Sequence, residues 1–283
     1  MVKSYKEEFR QLLNENLLES ELHWLEHSIS GIKQQQTARR LYLNYSLCST
    51  KIKNNSLLKF PKISNELREY LKKKGAHTVE ISRIFMLISI LEENIGLVDA
   101  VKNLIQIADN VELETFLKFL AFIPEPDNYQ FAAVEALRTN VSTVFEAISK
   151  YNPYPSRYFN DQQWNQMYLK AAFIQLDLHT IVDIDARANE DLAKIISDYA
   201  HERWAASRPV DPYFWRPIPN YLNESLILDI EHLFKSENLK ERYAAALVCK
   251  NADYNIAKQL LDLYPDLKAK VEGGTVTWEN VKA

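Results

Sequence analysis

The chain has 283 residues, of which 47% are apolar and 25% charged, with a formal net charge of −4. This balance is that of a soluble globular protein with enough apolar residues for a sizeable core. Glycine is scarce, with 5 residues where average usage gives about 20. Walker A loops and dinucleotide-binding loops need closely spaced glycines, so both classes of nucleotide enzyme are excluded.

Cysteine usage and apolar runs indicate the compartment. Cys48 and Cys249 lie far apart and predict buried, reduced thiols rather than a disulfide framework or a zinc site. The first ten residues carry acidic side chains and lack the apolar run of a secretory signal. The longest apolar run, 84–91, is shorter than the roughly 20 residues that span a membrane. We therefore expect a soluble, cytoplasmic protein, which could still dock on a membrane partner.

Charge is unevenly distributed, with eleven basic and two acidic residues between Lys33 and Gly75. We therefore divide the chain into an N-terminal helical segment with this basic stretch, 1–75, and a helical core, 76–283, in one continuous domain. The stretch is typical of a solvated face and also suits phosphates, anionic lipid or an acidic protein. The sequence pI of about 5.9 and the lack of a nucleic-acid motif predict no nucleic-acid partner.

Helical periodicity dominates the chain. In the first half, apolar spacing predicts helices over residues 81–91, 97–105, 113–120, 133–137 and 144–148. Pro124–Pro126 and Pro153–Pro155 predict helix ends, because proline cannot continue the hydrogen-bond ladder.

Capping patterns continue the prediction in the second half. Asn160 with Gln163, and Asn238 with Glu241, have the spacing of capping boxes and predict helix starts. Further helices are predicted over about 188–206, 226–233 and 254–263, with an irregular proline-rich crossing over 209–219 and a tail of strand character at Thr275–Trp278.

Helix pairs joined by short turns predict an all-α fold, a HEAT/armadillo-like α-α superhelix. A weak internal similarity supports this fold. Residues 132–153 and 243–265 each contain, in order, a predicted alanine-rich helix, a turn with asparagine, a second helix and a proline. A compact, non-repeating bundle is the alternative.

Two segments contain histidines that could take part in metal binding or acid/base catalysis. His23, Glu26 and His27 match the pattern H-x-x-E-H, but a zinc site needs a third protein ligand, so we expect a surface helix and no metal. Asp198, His201 and Glu202 share one helix face, where carboxylates beside a histidine suit acid/base chemistry.

Arginine, tryptophan and asparagine residues form a candidate binding set. Arginine pairs with anions and both arginine and tryptophan stack on rings, which suits an anionic or aromatic ligand. The same residues also suit exposed ion pairs and a tryptophan-containing core. The candidates are Asn140, Arg157, Trp164, Asn165, Asp185, Arg187, Asn189, His201, Arg203, Trp204, Arg208, Trp215 and Arg216.

The segment Asp198–Ala206, followed by Arg208, resembles the EboA family of bacterial metabolite-traffic proteins. The likeness covers most of the chain, more loosely before about residue 80. Other segments that resemble the family in order and spacing are Arg138–Asn140, Asn152–Pro155, Arg157–Phe159, Trp164–Met167, Asp185–Asn189, Trp215–Arg216 and Asn238–Ala246.

The resemblance implies a role in processing or exporting a secondary metabolite together with other Ebo-type proteins, among them a UbiA-like membrane prenyltransferase. It carries over no catalytic residues and no cofactor. We therefore expect a non-enzymatic binding or adaptor protein. The alternative is an enzyme on an aromatic or prenylated metabolite, with His201 and Asp198 or Glu202 as acid and base.

Overall fold

The computed structural model describes residues 4–53, 58–93 and 95–282. Over these ranges the chain forms α-helices and short 3-10 helices and no β-strand, which confirms the all-α prediction. The strand character expected at Thr275–Trp278 is wrong. Thr277 instead caps a 3-10 turn, Trp278–Asn280, with its hydroxyl accepting from the Glu279 amide at 3.2 Å. Within the described ranges no helix combines the length and apolarity that crossing a membrane requires.

The chain divides into two compact units, Met1–Tyr158 and Phe159–Ala283. The boundary expected near residue 75 lies inside the first unit and, as a statement about domains, stays a prediction. The helices of the first unit over the described residues are α1 (Lys6–Asn16), α2 (Glu19–Gln35), α3 (Ala38–Lys51), α4 (Asn65–Lys74), α5 (Thr78–Leu91), α6 (Val98–Lys102), α7 (Leu104–Ile107), α8 (Asn110–Phe119), α9 (Gln130–Ala136), α10 (Ser142–Ser149) and α11 (Pro153–Tyr158).

Helix α5 lies at the centre of the first unit. All its residues except Val79 are buried, and it packs against α1, α2, α3 and α8. A helix that is buried on nearly all sides must be surrounded by other helices. The first unit is therefore organised around one buried helix.

The second unit carries α12 (Asp161–Phe173), α13 (Glu190–Ala205), α14 (Glu224–Phe234), α15 (Leu239–Asn251), α16 (Asn255–Asp262) and α17 (Pro265–Glu272). Here α15 packs against α14, α16 and α17. Its buried centre contains Ala244, Ala245 and Ala246, whose small side chains let neighbouring helices approach closely. A HEAT-like superhelix stays a prediction.

Local signals located most helices correctly. Asn160 caps α12, and its side chain accepts from the Gln163 amide at 2.9 Å, as the capping pattern predicted. The helix expected over 97–105 is instead divided into α6 and α7 at Asn103. Pro153 begins α11 rather than only ending the preceding helix, because the first turn needs no amide donor from proline.

Candidate functional site

The predicted binding residues are distributed over both units. Asn140 and Arg157 belong to the first, where Asn140 is exposed before α10 and Arg157 pairs with Glu66 at 3.5 Å on the surface. The other eleven belong to the second unit, where nine of them form three local groups and the remaining two are Arg203 and Arg208. Each group is described by its own contacts.

The first group lies at the start of α13. Asn165 and Asn189 exchange two amide hydrogen bonds, each of 2.9 Å, and Asn165 is buried. Asn189 also caps α13 by accepting from the Leu192 amide at 2.9 Å. The asparagine pair therefore fixes the start of α13 to the middle of α12.

Arg187 and Trp164 meet beside this pair. The Arg187 guanidinium lies 5.1 Å from the centre of the buried Trp164 ring and donates to Asp161 at 3.1 Å. A cation over an indole face is attractive, and the carboxylate holds it there. These contacts hold the loop before α13 against α12, so Arg187 and Trp164 both have structural roles in the second unit.

The second group is an ion pair between Asp185 and Arg216. The Arg216 guanidinium donates to both carboxylate oxygens of Asp185, at 2.7 and 2.6 Å, and also to the Tyr213 hydroxyl. The hydrogen bond with Asp185 raises the pKa of Arg216 above its ordinary value. Burial raises the pKa of Tyr213, an effect that the nearby Arg216 opposes. Arg216 is therefore protonated at neutral pH, and two hydrogen bonds hold its guanidinium against Asp185.

This pair lines a cleft of about 280 Å³. The volume is near the lower end of the roughly 300–1,000 Å³ of small-molecule sites. The cleft is bordered by Asp185, Ala188, Arg216, Pro217, Pro219, Asn220, Asn251 and Trp278. Trp278 is half-buried and held edge-on against Tyr213, with ring centres 5.6 Å apart. The cleft thus offers an indole and two proline rings together with charged and amide groups.

The third group surrounds His201. Its Nε2 lies 2.6 Å from Oδ1 of Asp229, a buried residue of α14, and Ser197 Oγ donates to Oδ2 of the same carboxylate at 2.6 Å. The His201 side chain is 55% exposed. A buried carboxylate thus orients a solvent-accessible imidazole.

Aromatic rings continue from His201 into the core. Trp204 lies between the ring of His232, at 4.1 Å, and that of the buried Trp215, at 5.8 Å. Trp204 also faces His201 at 5.7 Å. Trp215 is therefore a core residue, whereas Trp204 is half-buried.

The two remaining arginines differ in their surroundings. The Arg203 guanidinium donates to the Pro209 carbonyl at 3.1 and 3.0 Å, which stabilises the turn after α13. Arg208 is exposed and makes no side-chain hydrogen bond or ion pair within the described ranges. Arg203 therefore has a structural contact, and Arg208 is the arginine that solvent or a partner can reach.

The residues considered for acid/base chemistry are exposed, as are those of the H-x-x-E-H pattern, for which we expected a surface helix and no metal. Asp198 and Glu202 are exposed on α13, and the carboxylate that contacts His201 is that of Asp229. His23, Glu26 and His27 are exposed on α2. No group of three or more metal-ligating side chains is found in the part of the chain that the structure describes.

Several residues around these groups were absent from the predicted set. Asp229 and His232 lie on α14, whose apolar spacing predicted only a helix. Asn251 and Trp278 border the cleft from the end of α15 and the C-terminal tail. Trp278 could have been found from the sequence, because a lone tryptophan in an otherwise polar tail usually packs against other residues.

Comparison with known proteins identifies the family. No curated protein and no solved structure matches the chain. The family model described as metabolite traffic protein EboA matches residues 5–219, which include every predicted binding residue. The chain therefore belongs to the EboA family.

Proposed function

We propose that this EboA-family protein binds a small secondary metabolite in the cleft of its second unit and acts as a non-enzymatic adaptor in the traffic of that metabolite. The observation that carries the proposal is the cleft that Asp185, Arg216, Asn251 and Trp278 share with two prolines. Sites for small molecules combine apolar ring surface with a few placed polar groups.

The charges of the cleft limit the kinds of ligand that can bind there. Asp185 already accepts two hydrogen bonds from the guanidinium of Arg216, so an anion would have to compete with this carboxylate for the same group. A neutral ring with hydroxyl or carbonyl substituents meets no such competition and can contact Trp278. We therefore favour an aromatic metabolite over an anionic one.

Partner proteins are the second part of the proposal. We infer that other Ebo-type proteins, including a UbiA-like membrane prenyltransferase, receive or deliver the metabolite, and that the protein works in the cytoplasm or at the inner membrane through such a partner. Exposed Arg208 suits an interface of this kind. HEAT-like stacking remains part of the proposal for α14–α17, where neighbouring helices pack on one another.

Catalysis is the alternative, and its favourable observation is the 2.6 Å contact of His201 with Asp229. A carboxylate that orients a histidine is a frequent feature of acid/base catalysis. In this alternative Asp229 replaces Asp198 and Glu202 as the partner of His201. The metabolite of a catalytic protein would be recovered chemically altered, and His201→Ala would abolish the change.

One purification tests the proposal through two readouts. Tagged protein is isolated from its native host, and bound small molecules and co-purifying proteins are identified by mass spectrometry. We expect Trp278→Ala to lower the bound metabolite about tenfold, the equivalent of about 1.4 kcal/mol. Trp24→Ala, at a half-buried tryptophan of the first unit, is the matched control. Wild-type protein that carries neither a small molecule nor an Ebo-type protein would contradict the proposal.

A further inference from the structure

A second cleft, of about 290 Å³, lies within the first unit and is lined mainly by charged side chains. It lies among α4, α8 and α10. Its charged residues are Lys73, Lys74, Glu114, Lys118, Glu146 and Lys150. Four amines in one small cleft repel one another unless carboxylates or deprotonation relieve them.

The hydrogen bonds of Lys74 match an uncharged amine. Its Nζ donates to the Ala147 carbonyl at 2.9 Å and to the Lys150 carbonyl, both at the end of α10. A neutral amine has two N–H bonds and one lone pair, so two acceptors satisfy it and leave the lone pair available. A charged ammonium group has a third N–H, for which the described residues provide no further acceptor.

Neighbouring charges act on the protonation of Lys74 in both directions. Lys118 lies beside Lys74 but is paired with buried Glu80 at 2.7 Å, and Lys150 is paired with Glu146 at 3.6 Å. The ring of Tyr70 lies 5.9 Å from the Lys74 amine. Burial, together with Lys118 and Lys150, lowers the pKa of Lys74 to about 7, against the opposing effect of Glu80 and Glu146.

We propose that Lys74 is a reactive amine and that this cleft takes a small aldehyde or ketone as an imine. The lone pair of Nζ attacks the carbonyl carbon and forms a C–N bond. Both amine hydrogens leave with the carbonyl oxygen as water, and a C=N bond remains, without oxidation or reduction. Glu114 and Glu146 are the cleft carboxylates that can move these protons. Desolvation and a neighbouring cation are known ways to activate a lysine in this manner.

The test labels the full-length protein with propanal and cyanoborohydride and follows each lysine by peptide mass spectrometry. Lys72 is the internal control, since it lies on the same helix with a 51% exposed side chain. We expect labelling of Lys74 to reach half its maximum near pH 7, where a lysine with the reference pKa of about 10.4 is almost fully protonated. The Lys74/Lys72 ratio should therefore fall more than about a hundredfold between pH 7 and pH 10. A constant ratio, or an unlabelled Lys74 beside a labelled Lys72, would overturn the proposal.

A charge variant provides a second measurement. Lys150→Gln removes one cation near Lys74 and should move the Lys74 labelling midpoint to higher pH. Lys51→Gln, at an exposed lysine of α3, should leave the midpoint where it is. Equal midpoints in both variants would contradict activation of Lys74 by its cleft. The inference is independent of metabolite binding in the second unit, because its readout is confined to lysines of the first.

Discussion

Asp229 shows how one buried carboxylate organises a surface histidine. It accepts one hydrogen bond from Ser197 and contacts His201 while being almost fully enclosed. Burying a carboxylate is costly unless such partners satisfy it. The orientation of His201 is therefore a property of α13 and α14 together and does not depend on a ligand.

Replacing this carboxylate should destabilise the second unit. We expect Asp229→Ala to lower the free energy of unfolding by about 1–3 kcal/mol, because the buried Ser197 hydroxyl loses its acceptor. Asp198→Ala, on the exposed face of α13, should change it by less than about 0.5 kcal/mol. Urea denaturation measures both variants. Equal losses would show that Asp229 has no special structural role.

His201 also shows a limit of sequence reasoning. The spacing of Asp198, His201 and Glu202 correctly indicates one helix face, because helical geometry fixes neighbours three and four residues apart. It does not indicate which other helix approaches that face. The carboxylate of Asp229 lies 28 positions further along the chain, and only tertiary packing brings it to His201.

At the scale of elements, the start of α13 combines a cap with an interhelical contact. The side chain of Asn189 caps the helix and pairs with Asn165 of α12. The cap is readable from sequence, since asparagine before an amphipathic run is a start signal. The amide pair cannot be predicted from the sequence, because Asn165 lies inside a helix and apolar periodicity does not show which residue of another element it contacts.

Two substitutions separate these roles. Asn189→Ser retains a capping oxygen but loses the amide pair, and we expect it to cost about 1–3 kcal/mol because Asn165 is buried. Asn189→Ala loses the cap as well, which should add about 1 kcal/mol. Thermal and urea unfolding of the two variants give the difference. If serine restores wild-type stability, the pairing with Asn165 contributes nothing.

Helix positions were more predictable than helix interruptions. Apolar spacing located α5, α8 and α10 because their buried faces repeat at the helical period. The break at Asn103 and the helix beginning at Pro153 have weaker local signals. Such boundaries depend on what the flanking residues pack against, which a single sequence does not contain.

At the scale of the molecule, the cleft of the second unit is assembled from distant segments. Asp185 and Arg216 were predicted as binding residues, but their pairing was not. Asn251 and Trp278 come from more than thirty residues further along the chain. Loops and tails converge on such a site through tertiary packing, so sequence reasoning recovered part of its lining and none of its shape.

The chain belongs to the EboA family, whose model is described as metabolite traffic protein, and the assignment of this cleft to that role is our proposal. A protein that takes part in metabolite traffic needs a place to hold its cargo. The cleft between the Asp185–Arg216 pair and Trp278 is the surface of the second unit that we assign to this task. The central claim is therefore that cargo binds at this cleft.

Hydrogen–deuterium exchange of protein with and without its co-purified metabolite tests this claim most directly. Exchange should slow at residues 216–221 and 278–282 when the metabolite is bound, because it covers the cleft and restrains its border. Residues 73–74 and 143–151, which border the cleft around Lys74 in the first unit, should exchange at the same rate in both samples. Protection confined to the first unit, or no protection at the cleft of the second, would contradict the claim.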